Sequence, residues 1–133
     1  MKLMLDTNIC IYIIKQQPVA VLKRFLEYQI GDICISSITL SELRCGVAKS
    51  SQKEKNAIAL DEFIVPLEVV SFDESAAHVY GNIRAALEKA GTTIDPMDML
   101  IAAHALSLGI PLVNNNTREF MRIPSLTCIN WTA

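Results

Sequence analysis

With 133 residues, 51% of them hydrophobic and 20% charged, the chain has the length of one domain spanning residues 1–133, leaves little room for a second, and can bury a core. A formal net charge of −2 counts against a broad, nonspecific grip on nucleic acid, which draws its affinity from many Lys and Arg contacts to phosphate. It does not exclude an acidic site rimmed by basic residues, for which Lys15, Arg44, Lys49, Arg84, Arg118 and Arg122 are candidates. No apolar run approaches the roughly 18 residues of a membrane span, and the start MKLMLD does not resemble a secretion signal, so a cytoplasmic protein is expected. Cys10, Cys34, Cys45 and Cys128 lie in apolar contexts without C-x-x-C spacing and are expected to be reduced core residues.

In chain order, Leu3 to Leu5 predict a first strand, too uniformly apolar for a sheet edge. Asn8 to Lys15 predict a helix, and Pro18 opens a second one through Tyr28. Ile33 to Ser37 read as a strand, Thr39 to about Gly46 as a helix that resumes from Ser51 to Ile64, and Leu67 to Ser71 as a third strand. Asp73 is a cap for a long helix through Ala90, closed by Gly91; Asp95 and Pro96 open another through Leu108, ended by Gly109. Leu112 and Val113 give a fourth strand and Leu126 to Ile129 a fifth. Strands separated by helices of this length pair in parallel, with helices on both faces. The expected fold is therefore a three-layer α/β/α sandwich around a central, mostly parallel sheet.

Such sheets bind ligands outside the carboxyl ends of their strands. Three acids are positioned for that edge: Asp6 directly after the first strand, Glu42 in the helix after the second, and Asp98 near the start of the helix preceding the fourth. Acids gathered at one place repel each other unless a positive group, such as a divalent metal, holds them. Each also has a simpler explanation. Thr39-x-x-Glu42 and Asp95-x-x-Asp98 match the capping box, and Asp6 and Asn116 are candidate helix caps.

Other chemistries find little support. No serine lies in a G-x-S-x-G string, and His78 and His104 lack partnering motifs; His104, on the apolar face of IAAHALSLG, reads as a hydrogen-bonded structural histidine. A haloacid-dehalogenase-like phosphatase needs a second acid two residues after the first, where this chain has Asn8. A response-regulator receiver needs paired early acids and a late lysine after a strand, where the chain offers asparagines.

The acids are embedded in longer strings: MLDTNICIYIIK from Met4, SSITLSELRCGVAKS from Ser36, IDPMDMLIAAHALSLG from Ile94 and LVNNNTREFMRIPSL from Leu112. Together, in this order and nearly end to end, these closely resemble the PIN-domain ribonucleases, specifically the VapC-type toxins of bacterial toxin–antitoxin pairs. The resemblance implies that Asp6, Glu42 and Asp98 are catalytic acids holding one or two Mg2+ or Mn2+ ions, which activate water for phosphodiester hydrolysis. Asn8 is implied as a neighbouring polar residue that orients the first acid. Many members have a fourth acid near Asn116, where this chain carries Asn114-Asn115-Asn116; Asp95 or Glu119 are candidates for the missing charge, and Arg118 for a contact to substrate phosphate.

The resemblance further implies a structured RNA substrate, a transfer RNA and among close relatives the initiator species, whose cleavage inhibits translation. Tyr12, Phe120 and Trp131 are available for bases but read first as core or interface residues. The implied partner is a VapB-type antitoxin that lays an amphipathic segment in an apolar groove and points a basic side chain at the acids. A homodimer and a toxin–antitoxin hetero-oligomer are implied, with operator DNA bound through the antitoxin. The stripe of Ala77, Val79, Tyr80, Ile83 and Leu87 could serve dimerisation but is first a core face. The departure at Asn116 leaves a catalytically silent PIN-like binding module as the alternative.

Overall fold

The computed structural model describes residues 1–132. Among these residues five strands, β1 (Leu3–Leu5), β2 (Ile33–Ser36), β3 (Glu68–Val70), β4 (Leu112–Val113) and β5 (Cys128–Ile129), form one sheet in the order β3-β2-β1-β4-β5. Every pairing is parallel, so the sheet is parallel throughout where a mostly parallel one was expected. Among the described residues seven helices surround it: α1 (Thr7–Lys15), α2 (Val19–Leu26), α3 (Ser37–Lys49), α4 (Lys53–Ile64), α5 (Glu74–Ala90), α6 (Pro96–Leu108) and α7 (Thr117–Phe120).

The uniformly apolar β1 is explained by its central place, with both faces covered. Alternation along the strands splits the core in two. Leu3, Leu5, Ile33, Ile35 and Val113 face the layer of α1 to α4, where Ile9, Cys10, Leu43 and Leu60 meet them. Met4, Cys34 and Leu112 face the opposite layer, where Ile83 and Leu87 of α5 and Met99, Ile101 and Ala105 of α6 pack. The stripe on α5 is thereby used by the core: Ile83 and Leu87 are buried, with Val79 and Tyr80 packed against the same cluster. Phe120 and Trp131 are buried as well, leaving Tyr12 as the half-buried member of the three aromatic candidates.

Several boundaries depart from the sequence expectation. Ser36 caps the third helix through its Oγ, which accepts from Ile38 N, so α3 begins at Ser37, two residues early. It also runs through Gly46 to Lys49, because Gly46 is an exposed helical glycine whose cost is on the order of 1 kcal/mol and leaves the helix intact. The Thr39-x-x-Glu42 capping box therefore does not form. Gly91 and Gly109 close α5 and α6 at φ 70° and 68°, as expected. Cys45 is exposed, in contrast to the expected core position, while Cys10 and Cys34 are buried.

Candidate active site

Asp6 is fixed by the sheet and by the helix that follows it. Its backbone N–H donates to Val113 O at 3.0 Å, continuing the β1–β4 ladder, and its Oδ1 accepts from Ile9 N at 2.9 Å as the cap of α1. Only 3% of the residue is exposed. Burial pushes the carboxyl up from its ordinary 3.8 to about 7. The Ile9 N–H works against that rise, whereas repulsion from Asp98 and Glu42 adds to it. Asp98, half-buried in the first turn of α6, is raised to about 6 by burial and then by the negative charges of Asp95, Glu42 and Glu119.

The charges that add to these two rises come from Glu42 on α3, Asp98 and Asp95 at the start of α6, and Glu119 on α7. Capping and clustering coexist here. Asp6 is a cap, and Asp95 Oδ1 accepts from Met97 N at 2.9 Å and Asp98 N at 3.3 Å. Glu42, one helical turn past Thr39, is turned to Thr7, whose hydroxyl donates to its Oε1 at 2.5 Å. Thr7 is a site residue that sequence reasoning passed over, although it stands between Asp6 and Asn8 in the quoted LDTN string.

The neighbouring polar residues are spread around this centre. Asn8 is exposed, and the bond to Asp6 comes from the backbone of Ile9. Asn116 is half-buried, with its N–H donating to Asn114 Oδ1 at 3.0 Å, and Arg118 is exposed on α7. Asn115 Nδ2 donates to the Tyr12 hydroxyl at 2.7 Å and joins the strand-end loop to α1. Among the basic candidates, Arg44 is paired with Asp61 at 2.8 Å, Arg84 bonds Tyr80 and approaches Glu88, and Arg122 donates to Thr93 O. Lys15 and Lys49 each line a cleft that Glu42 also lines, the first between α1, α3 and α4 and the second between α3 and α6.

The donor types, all oxygen, suit a hard divalent cation. All of the ionisable donors are carboxylates, and none of the ion pairs among the described residues involves Asp6, Glu42, Asp98, Asp95 or Glu119. As placed, no three His, Cys, Asp or Glu side chains among the described residues form a group that could hold a metal ion.

The comparisons with known proteins agree with this architecture. The PIN domain family matches residues 3–126. The tRNA(fMet)-specific endonuclease VapC of Shigella flexneri is 45% identical over 132 residues, covering 99% of each chain. Among solved structures, DNA-bound VapBC from Salmonella typhimurium aligns with a TM-score of 0.93 at 46% identity over 98% of each chain. VapBC2 from Rickettsia felis, bound to a DNA fragment from its promoter, aligns at 0.92 and 42% identity over 98% of this chain and 99% of that one.

Proposed function

Because the chain belongs to the PIN-domain family and is similar to VapC ribonucleases along its length, we propose that it is a metal-dependent endoribonuclease, the toxin of a type II toxin–antitoxin pair acting in the cytoplasm. The observation that carries this reading is that Asp6, at the end of the central strand, is buried and raised by the charges of Asp98 and Glu42, with none of the three in an ion pair among the described residues. These three would hold one or two Mg2+ or Mn2+ ions, and such an ion supplies acidified water and offsets charge growing on the phosphate. Burial keeps Asp6 in a dry floor, where a fixed charge acts more strongly than in water. The Ile9 N–H holds its orientation. Asp98 and Glu42 would complete the acid set, and Arg118, exposed on α7, would supply a forked bond to a substrate phosphate.

The substrate is a structured RNA, and transfer RNA is favoured because a full-length relative is named for tRNA(fMet). Cutting it inhibits translation. A VapB-type antitoxin is the proposed partner, in a homodimeric toxin and a hetero-oligomer that meets operator DNA through the antitoxin, as supported by the DNA-bound VapBC relatives. Its proposed seat is the apolar cleft of about 230 Å3 between α1, α3 and α4, which is lined by Leu43, Val47 and Leu60 and reaches Glu42. That end places a basic antitoxin side chain beside the acids. Among the described residues no helix is long and apolar enough to cross a membrane.

The test is cleavage of purified initiator and elongator transfer RNAs with Mg2+ or Mn2+, by the wild-type chain and by Asp6→Asn and Asp98→Asn. Cleavage is expected from the wild type alone, preferentially of the initiator species, with both variants still melting cooperatively. Full activity in the folded variants, or in excess chelator, would falsify the mechanism. RNA bound yet left intact by the wild type with either ion would point to a silent binding module instead.

A further inference from the structure

The basic side chains divide into those already answered and those left open. Among the described residues Lys2, Arg24, Arg44 and Arg84 form ion pairs with Asp32, Glu27, Asp61 and Glu88, and Arg122 donates to Thr93 O. Lys49, Lys53 and Lys55 are in no ion pair among the described residues, and all three are exposed where α3 ends and α4 begins. The one acid between Lys49 and Lys55 is Glu54, so three lysines stand against one carboxylate on a chain whose formal net charge is −2.

This charge is continuous with the acid-bearing part of α3. Lys49 lies two helical turns beyond Glu42, so the two share a face at a separation of about 10 Å along the axis. Both line the cleft of about 580 Å3 between α3 and α6, with Gly46 between them. Gly46 is exposed and a Cβ there would meet nothing within 4 Å, so the way from Glu42 to Lys49 is open. Beyond it, Lys53 and Lys55 line the next hollow with Ser50, Gln52 and Glu54.

We propose that Lys49, Lys53 and Lys55 form a docking strip for the RNA backbone, which leads the strand away from Glu42 along α3 and grips phosphates flanking the one that is cut. The inference rests on the ribonuclease reading above and names where that substrate lies. An ammonium on a flexible four-carbon stem meets a phosphate as a point charge, without regard to the base. Along one strand of a duplex the distance from Glu42 to Lys49 spans roughly three phosphates, which places the lysine past the scissile one. The strip therefore contributes affinity and register and takes no part in bond breaking. Positive charge gathered at one corner of a chain with net negative charge steers a polyanion to that corner.

The experiment measures cleavage of purified transfer RNA, and its binding in chelator, across a series of salt concentrations. It compares the wild-type full chain with the triple variant Lys49→Gln, Lys53→Gln, Lys55→Gln and with the same three positions changed to arginine. The double variant Lys23→Gln, Lys89→Gln is the control for lost charge alone, because both lysines are exposed, on α2 and α5, and in no ion pair among the described residues. Each lost phosphate contact lowers the slope of log affinity against log salt by about one, so the glutamine triple is expected to lose roughly 2–3 of that slope and to raise KM on the order of tenfold, with kcat unchanged. The arginine triple and the control are expected to keep the wild-type slope and KM. All the substituted positions are exposed, so cooperative melts are expected to survive. Should the triple variant not melt cooperatively, Lys49→Gln alone supplies the comparison, with a loss of about one in slope. Unchanged KM and slope in the glutamine triple, a loss confined to kcat, or an equal loss in the control overturns the strip and leaves the ribonuclease standing. Weaker inhibition by the antitoxin with RNA binding unchanged overturns it as well and gives the lysines to the antitoxin. A wild-type chain that neither binds nor cuts RNA overturns the ribonuclease reading together with the strip.

Discussion

His104 Nδ1 lies 2.8 Å from the Ser36 hydroxyl, a buried contact across sixty-eight positions that ties the helix carrying Asp98 to the cap of the helix carrying Glu42. The same Ser36 Oγ accepts from Ile38 N, so one hydroxyl joins the start of α3 to the imidazole. Phe72 packs edge-on to the imidazole, with centroids 5.4 Å apart. The histidine is thus a strut between two acid-bearing helices and, among the described residues, has no direct bond to the acids.

This strut predicts coupled losses. Ser36→Ala removes a cap and a buried bond and is expected to cost roughly 1–3 kcal/mol of unfolding free energy. His104→Ala also leaves a cavity beside Phe72 and is expected to cost roughly 2–4 kcal/mol. Because the two share one bond, the double variant should lose less than the sum in urea titrations. Burial holds the His104 pKa below its ordinary 6.5, although Asp73 acts in the opposite direction. A depressed folded-state value means that the contribution is present above pH 6.5 and lost as pH falls through the folded value, so His104→Gln is expected to flatten the stability profile on the acid side.

Asp6 carries the opposite sign. Its folded value of about 7 stands above 3.8, so the stability linked to its protonated form is full below pH 3.8 and is lost as pH rises toward 7. Asn caps a helix as well as Asp does, so Asp6→Asn keeps the bond from Ile9 N while removing the buried charge. In chelator at pH 8 the variant is expected to be more stable than wild type by a few kcal/mol, on a scale of about 1.4 kcal/mol per unit of displacement, and the gap should close near pH 4. Mg2+ should raise the melting temperature of wild type and leave Asp6→Asn unmoved. A variant less stable than wild type at pH 8 in chelator would contradict the account of Asp6 as a strained charge kept for chemistry.

Asn116 stands where many relatives were expected to carry a fourth acid, and the electrostatics of Asp98 identify two candidates for its charge. Asp95 is the larger influence and Glu119 the smaller, both acting on Asp98 and neither in an ion pair among the described residues. Asp95→Asn preserves the cap of α6 and removes only charge. It is expected to weaken Mg2+ binding several-fold, more than Glu119→Gln, with little change in stability because Asp95 is exposed. Calorimetric affinities for the two variants decide the order: equal effects would share the charge between the two acids, and a larger loss in Glu119→Gln would assign it to Glu119.

The layers and the acid-bearing elements were legible because their signals are local and periodic. The unbroken apolar run of β1, the Gly91 and Gly109 closures and the Asp73 and Asp95 caps each state one backbone fact, and the structure repeats them. What the residues alone could not state was which side chain answers which. Thr39-x-x-Glu42 looks like a capping box until Ser36 takes the cap, and that frees Glu42 for Thr7, a contact whose partners lie in separate motifs. The closure of α1 by Gln16 at φ 59°, a left-handed position usually held by glycine, left no compositional mark either. Arg44 reads as a rim cation in the sequence, yet Asp61, seventeen residues on, takes its charge.

The apolar cleft beside Glu42 carries the last prediction. Val47 lies one turn and a half beyond Glu42 on α3, half-buried in the wall that faces Ala59 and Leu60 of α4. Ile14 and Ala59 also line an adjoining hollow with Leu22, Phe25 and Phe63, so the trough runs on from the acids along α1 and α4. An amphipathic antitoxin segment seated there needs an apolar wall at Val47. Val47→Arg fills that wall with a charged side chain whose head can still reach solvent, so the cooperative melt is expected to survive. Affinity for the cognate antitoxin should fall by roughly thirtyfold or more, the scale of a central interface contact. Inhibition curves of transfer RNA cleavage against antitoxin concentration measure the change. Unaltered inhibition of Val47→Arg would move the antitoxin's seat elsewhere, with the α3–α6 cleft at Met97 and Lys49 the next surface that reaches Glu42.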